Sequence, residues 1–288
     1  MGLMTGNGPL SRAPEGTFNF EPPTPGQALY LEPSPKWVRV VLGGETIADS
    51  RSTLLVQESG HQPVYYFPPG DVRADALEPS DRHTRCPKKG EASYHSIRVG
   101  ERVVENGAWY YPEPLEGAAP LRGLLAFYWD RMDHWYEEDE EVFVHPRDPY
   151  HRVDVLPTSR RIRISLDGEV LAESDRAMAL FESNLPTRWY LPREDVRAEL
   201  ERSDTATRCP YKGIASYYAV RLAGGETVKD LIWHYDDPLA AVQNIAGRLC
   251  FFNERVDVVL DGEPEGRPET VWKHGVKSEA AAIARNGS

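Results

Sequence analysis

The stretch TRCPKKGEASYH, residues 84–95, gathers a thiol, two amines, a phenol and an imidazole within twelve positions, and TRCPYKGIASYY repeats most of it at residues 207–218. Thiolate is the reactive form of cysteine, and a neighbouring ammonium favours it. On that chemistry Cys86 and Cys209 are candidate nucleophiles, with Lys89 and Lys212 tuning the sulfur or holding an anionic substrate. Glu58 and Glu182 each close an apolar run and are candidates for moving a proton. Every one of these residues also has a plain structural reading. Free cysteine is often a buried apolar filler, lysine flanks turns, and a carboxylate at a strand end caps backbone amides.

Rings form the second candidate set. Tyr65, Tyr66, Tyr94, His95, Trp109 and Tyr111 in the first half match Trp189, Tyr190, Tyr217, Tyr218, Trp233 and Tyr235 in the second. Alternate residues of a strand face the same side, so Trp109 and Tyr111 share a face and several rings can line one ligand cavity. An aromatic β core is the competing reading. The cluster His145, Asp148 and His151 has metal-ligand types, but its spacing matches no metal motif, and no metal is assigned to it. No glycine-rich phosphate loop of the Walker or dinucleotide kind occurs, and the residues leave the cofactor unknown.

These side chains need strands to hold them, and the chain supplies two sets by repeating itself. DVRADALEPSDRHTRCPKKGEASY from Asp71 aligns with DVRAELERSDTATRCPYKGIASY from Asp195 after one single-residue gap. The register runs on through YYFP against WYLP, WYYPEPL against WHYDDPL and LRGLLAFYWDRMD against IAGRLCFFNERVD. A repeat this long is a whole domain. The expected organisation is a Pro/Gly-rich segment at 1–28, a first domain at 29–136, an acidic and proline-containing linker at 137–150, a second domain at 151–262 and a tail at 263–288. RIRISLDGEV alternates apolar Ile162, Ile164 and Leu166 with polar neighbours and then meets Asp167-Gly168, a hairpin signal. AMALFES, RWYLP, ASYYAVRL, LIWHY and RLCFFN read as further strands. EDVRAELERS, PLAAVQNIAG and SEAAAIAR read as short helices. The fold class is therefore mainly β: two tandem copies of a small curved antiparallel domain with short helices. Within TRCP-x-KG, proline fixes a turn and glycine allows positive φ, so the backbone reverses there.

At 288 residues the chain can bury a core in each half. Its net charge of −12 sets a field that repels phosphate backbones and anionic membranes. No apolar run approaches the ~18 residues of a spanning helix, and the opening residues lack a signal-peptide pattern, so a cytoplasmic protein is expected. Three cysteines without a CxxC pair build neither a disulfide framework nor a four-cysteine zinc site.

The pattern DV…L..S…T.CP.KG.ASY, preceded by a strand, a glutamate and a second strand ending in proline, and followed by W.Y..P, resembles the bacterial and fungal family called domain of unknown function 427. The resemblance covers both copies. It implies a β-tent-like domain, similar to the thalidomide-binding domain of cereblon and to methionine sulfoxide reductase B. Such relatives use the space between their two sheets for an aromatic cage or a cysteine site. Their zinc-holding CxxC pairs are absent here, so zinc is not implied. A nucleotidyltransferase label is also attached to the family. The usual Gly-Ser followed by D-x-D is not found, the sole Gly-Ser being Gly287-Ser288. The sequence thus leads to a protein active on a small molecule, with an aromatic-lined pocket in each repeat and a possible cysteine/lysine-dependent reaction. The alternatives are a non-catalytic tandem ligand- or partner-binding protein and, third, a nucleotidyltransferase-like activity.

Overall fold

The computed structural model describes residues 2–276. The helix expected in SEAAAIAR lies outside them. The chain divides into two compact units, one running to His151 and the other starting at Arg152. Both are built mainly from antiparallel strands.

In the second unit seven strands make one sheet, in the order Val153–Pro157, Met178–Glu182, Arg188–Leu191, Leu249–Phe251, Thr227–His234, Gly213–Arg221 and Glu199–Cys209. A smaller sheet joins Ile162–Leu166 to Glu169–Ser174 on one side and to Asp257–Leu260 and Glu263–Glu265 on the other. The first unit repeats this plan. There the large sheet is recorded as Leu29–Pro33, Leu54–Glu58 and Val64–Tyr66 next to Leu77–Cys86, Gly90–Val99, Arg102–Tyr110 and Leu125–Phe127, the two parts joined by a Phe67–Leu125 bridge.

Strand alternation gives the large sheet two buried faces. Tyr65, Phe67, Ile97 and Ala108 pack with Val38, Val40 and Leu42 of the small sheet, forming the inter-sheet core. Tyr66, Ala92, Tyr94, Tyr111 and Ala126 fall on the opposite face. The second unit divides in the same way: Trp189 and Leu191 join the inter-sheet core, while Tyr190, Tyr217, Trp233 and Tyr235 lie behind it. The Asp167-Gly168 hairpin forms as expected, with φ of 51° and 85°.

Two segments read as helical are not α-helices. EDVRAELERS holds only the 3-10 turn Arg193–Asp195 before the strand Glu199–Cys209 begins. Val196, Ala198 and Leu200 are spaced by two and pack on the core, so the period of a strand outweighs helix-forming composition. PLAAVQNIAG becomes the 3-10 segment Ala240–Ile245, kinked at Val242, which seats Val242 and Ile245 against the sheet.

The acidic run of the expected linker is partly structural. Glu137 ends the strand His134–Glu137 and is buried, its carboxylate accepting from Tyr65 Oη (2.9 Å), Lys36 Nζ (2.5 Å) and the Arg147 amide (2.9 Å). Three donors offset the desolvation of one carboxylate. Glu140–Glu141 forms a short edge strand beside it. The N-terminal segment is also tied down: Met4 is buried, and its carbonyl accepts from the Gly60 amide at 2.8 Å.

Candidate functional site

TRCP-x-KG is the tight turn of a hairpin, with Cys86 paired to Gly90 and Cys209 to Gly213. Gly90 has φ +105°, and a Cβ there would stand 3.2 Å from the Glu113 carbonyl. Gly213 repeats the conformation at +98°. The preceding lysine carbonyl accepts from the Leu115 amide in one copy and the Leu239 amide in the other, at 3.0 and 3.1 Å. The turn therefore fixes where the lysine and the following tyrosine point.

Lys89 reaches the Glu58 carboxylate, and Lys88 stands 3.1 Å from its other oxygen. The equivalent Lys212 and Glu182 pair at 2.5 Å, both residues buried. Burial pushes the Glu58 carboxyl upward, but hydrogen bonds from Lys89 and Lys88 leave it below the ordinary carboxylate value. Burial likewise opposes the charge of Lys212, yet the adjoining Cys209 and Glu182 hold its ammonium above the ordinary lysine value. Each lysine thus stands in direct contact with a carboxylate.

The aromatic residues repeat with close fidelity. Trp109 Nε1 donates to Tyr66 Oη at 3.0 Å, and Trp233 Nε1 to Tyr190 Oη at 2.8 Å. The two ring pairs cross at 87° and 88°. Tyr94 Oη bonds Thr84 Oγ1, and Tyr217 Oη bonds Thr207 Oγ1, both at 2.8 Å. Burial drives the Tyr66 and Tyr111 hydroxyls well above the usual phenol range, and Tyr190 and Tyr235 likewise. These hydroxyls remain protonated at neutral pH.

In the first repeat the set encloses a cavity of about 220 Å³. Tyr66, Tyr94, Trp109, Tyr111 and Tyr128 supply its rings, Val56 and Val64 its aliphatic wall, and Glu58, Lys89, His61 and Gln62 its polar groups. The cavity lies on the face of the large sheet that looks away from the small sheet, not between the sheets as the resemblance implied. His61, Gln62 and Tyr128 were missed from sequence. The alignment of Tyr128 with Phe252 was the available signal for the last.

Several expected members lie elsewhere. Cys86 packs on the cluster's edge and is not among the cavity-lining residues. His95 points to the sheet's other side, stacked on Tyr110 at 5.0 Å, because it neighbours Tyr94 in a strand. For the same reason Tyr218 leaves Tyr217 and stacks on His234 at 4.8 Å. His145 Nδ1 donates to the Pro146 carbonyl and Asp148 accepts from the Tyr150 amide, at 2.7 and 2.8 Å. Among the described residues no group of three or more His, Cys, Asp or Glu is arranged to hold a metal.

Among the described residues, side chains of the second repeat gather over the matching region. Arg188 stands where the first repeat has cavity-lining Val64, 5.3 Å over the Trp233 ring and 5.7 Å from Trp272. Its guanidinium binds Glu254 in fork geometry at 2.8 and 2.7 Å, and Thr270 donates to the same carboxylate at 2.6 Å. Trp272 and Val276 pack against the cluster from outside. Cys250, fully buried beneath them, has its thiol pushed far up by burial.

No curated protein matches the chain. A family model described as domain of unknown function (DUF427) matches twice, over residues 30–138 and 154–262, and these matches coincide with the two sets of paired sheets. Together they take in well over half of the sequence, and the chain belongs to this family as a tandem-repeat member.

Proposed function

We propose that the protein binds a small organic molecule in the aromatic cavity of its first repeat and does not transform it. The observation that carries this reading is the cavity of about 220 Å³, walled by five rings and reached by a single carboxylate–ammonium cluster. Its volume is below the roughly 300 Å³ at which drug-sized sites begin, which suits a molecule with one ring. Binding is favoured over catalysis because the lysine is committed to Glu58, the buried phenols keep their protons, and Cys86 is off the lining. A nucleophile needs an adjacent base or a depressed pKa; the depressed groups on this lining are Glu58, whose carboxylate is met by Lys89 and Lys88, and Tyr94, whose hydroxyl is bonded to Thr84.

The second repeat acts as a scaffold copy whose corresponding region is closed by Arg188 and Trp272. One ligand per chain is expected. The test is Val64→Arg, which imports the filling residue of the second repeat into the first. Benzamide, titrated against tryptophan fluorescence, should bind the wild-type chain and lose at least tenfold in affinity in the variant. Equal affinity in both would refute the assignment.

A further inference from the structure

The charges around the cavity point to the class of molecule it takes. A ring cage with a carboxylate is a familiar way to hold a cation. Here, however, Glu58 is already met by two ammonium groups, Lys89 and Lys88, whose side chains are only 12% and 14% exposed. One positive charge is left over. Two guanidinium groups stand over rings of the lining: Arg82 lies 5.0 Å over the Tyr94 ring and Arg131 lies 4.5 Å over the Tyr128 ring. This concentration of cations stands out on a chain of net charge −12. A cationic ligand would have to displace an ammonium from Glu58 and sit beside the guanidinium groups. An anion would complete the cluster.

The second repeat provides an internal contrast. Tyr211 replaces Lys88 and Thr205 replaces Arg82, so the repeat with the filled region also lacks both surplus charges. There Glu182 is paired with Lys212. The repeat with the described cavity therefore carries two cations, Lys88 and Arg82, that the other replaces, while Arg131 has a counterpart in Arg255.

Resting on the reading of this cavity as a ligand site, we propose that its ligand is a single-ring organic carboxylate. Its ring enters among Tyr66, Trp109 and Tyr111, and its carboxylate meets Lys89 on the lining, while Lys88, bonded to the Gly26 carbonyl at 2.7 Å and 3.1 Å from Glu58, adds its charge from outside the lining. The rings supply apolar contact and edge-to-face packing, while charge-assisted hydrogen bonds fix the polar end. His61 and Gln62 line the same cavity, and neither adds a negative charge.

Three probes of nearly one shape separate charge from fit: benzoate, benzamide and benzamidine, which are anionic, neutral and cationic. Each is titrated into the full chain at pH 7 and low salt by calorimetry. The expected order is benzoate tightest by at least tenfold, benzamide weaker, and benzamidine weakest. Lys88→Tyr, carrying the residue the second repeat has there, should reduce the benzoate advantage over benzamide several-fold, and its circular dichroism verifies folding. Added salt should weaken benzoate far more than benzamide. If benzamide or benzamidine binds as well as benzoate, or if Lys88→Tyr leaves the preference intact, the carboxylate assignment is overturned while the cavity reading survives. If none of the three binds, the cavity reading falls as well.

Discussion

The Lys212–Glu182 pair gives a sharp separation between a structural and a catalytic role. Both residues are buried, at 8% and 9% exposure, and their charged atoms stand 2.5 Å apart. Lys212→Met removes the cation and leaves a carboxylate in the interior. Breaking a buried pair in this way costs about 3–5 kcal/mol, because the carboxylate loses its ammonium partner in the interior. For a unit of this size that loss lowers Tm by roughly 12 °C. Replacing both partners, Lys212→Met with Glu182→Leu, removes the charge problem and should restore most of the loss. In the first repeat Lys89→Met should cost less, about 1.5 kcal/mol, since Lys88 still neutralises Glu58. The Lys212→Met deficit should also shrink as pH falls toward about 4.3, where an unfolded glutamate takes up its proton. Urea denaturation of the full chain, with hydrogen exchange assigning each loss to its unit, reads all three variants. A Lys212→Met protein within about 1 kcal/mol of wild type at pH 7, or a double variant no better than the single, would refute the reasoning.

Two further outcomes follow from the same interior. His95, His145 and His234 all have pKa values depressed below the ordinary 6.5 by burial, and the His95 Nδ1 and His234 Nε2 atoms are buried without a hydrogen-bond partner. Depressed histidines favour the folded state while neutral. Their contribution is fully present above 6.5 and falls away as pH drops below it toward the folded values. Thermal melts should therefore show Tm declining from pH 6.5 downward, before the carboxylates titrate, and a flat Tm between pH 6.5 and 5 would contradict this. Thiol chemistry gives the second outcome: Cys86 and Cys209 are partly exposed, while Cys250 is buried and its thiol pushed up. Iodoacetamide should modify two thiols in the native chain and the third only on unfolding. Early modification of Cys250 would be the contrary result.

Much of this architecture was legible from residue order. The duplication was explicit, the Asp167-Gly168 hairpin was marked by its turn residues, and the two-residue period of RIRISLDGEV placed Ile162, Ile164 and Leu166 inside. The strand Glu199–Cys209 was obscured because glutamate, alanine and leucine favour helices, while the two-residue period entering it was carried only by Val196, Ala198 and Leu200. Lys89, Tyr94, Trp109 and Tyr111, singled out from spacing, are among the residues that line the cavity. His95 and Tyr218 were drawn in by nearness in sequence, although adjacent strand residues face opposite sides. His61 and Gln62 come from the loop between two strands, where no periodicity marks a direction. The filling of the second repeat by Arg188 was hidden for a different reason. Its partners Glu254 and Thr270 are distant in sequence, and an arginine beside WYLP reads as surface.

The central claim is that one repeat keeps an open ligand cavity while the other has closed its own. Soaking crystals of the full chain with benzoate, together with calorimetric stoichiometry, tests it most directly. The account predicts one molecule per chain, its ring among Tyr66, Trp109 and Tyr111 and its carboxylate toward Lys88 and Lys89. Two equivalent molecules, or a single one seated against Trp233 in place of Arg188, would contradict it.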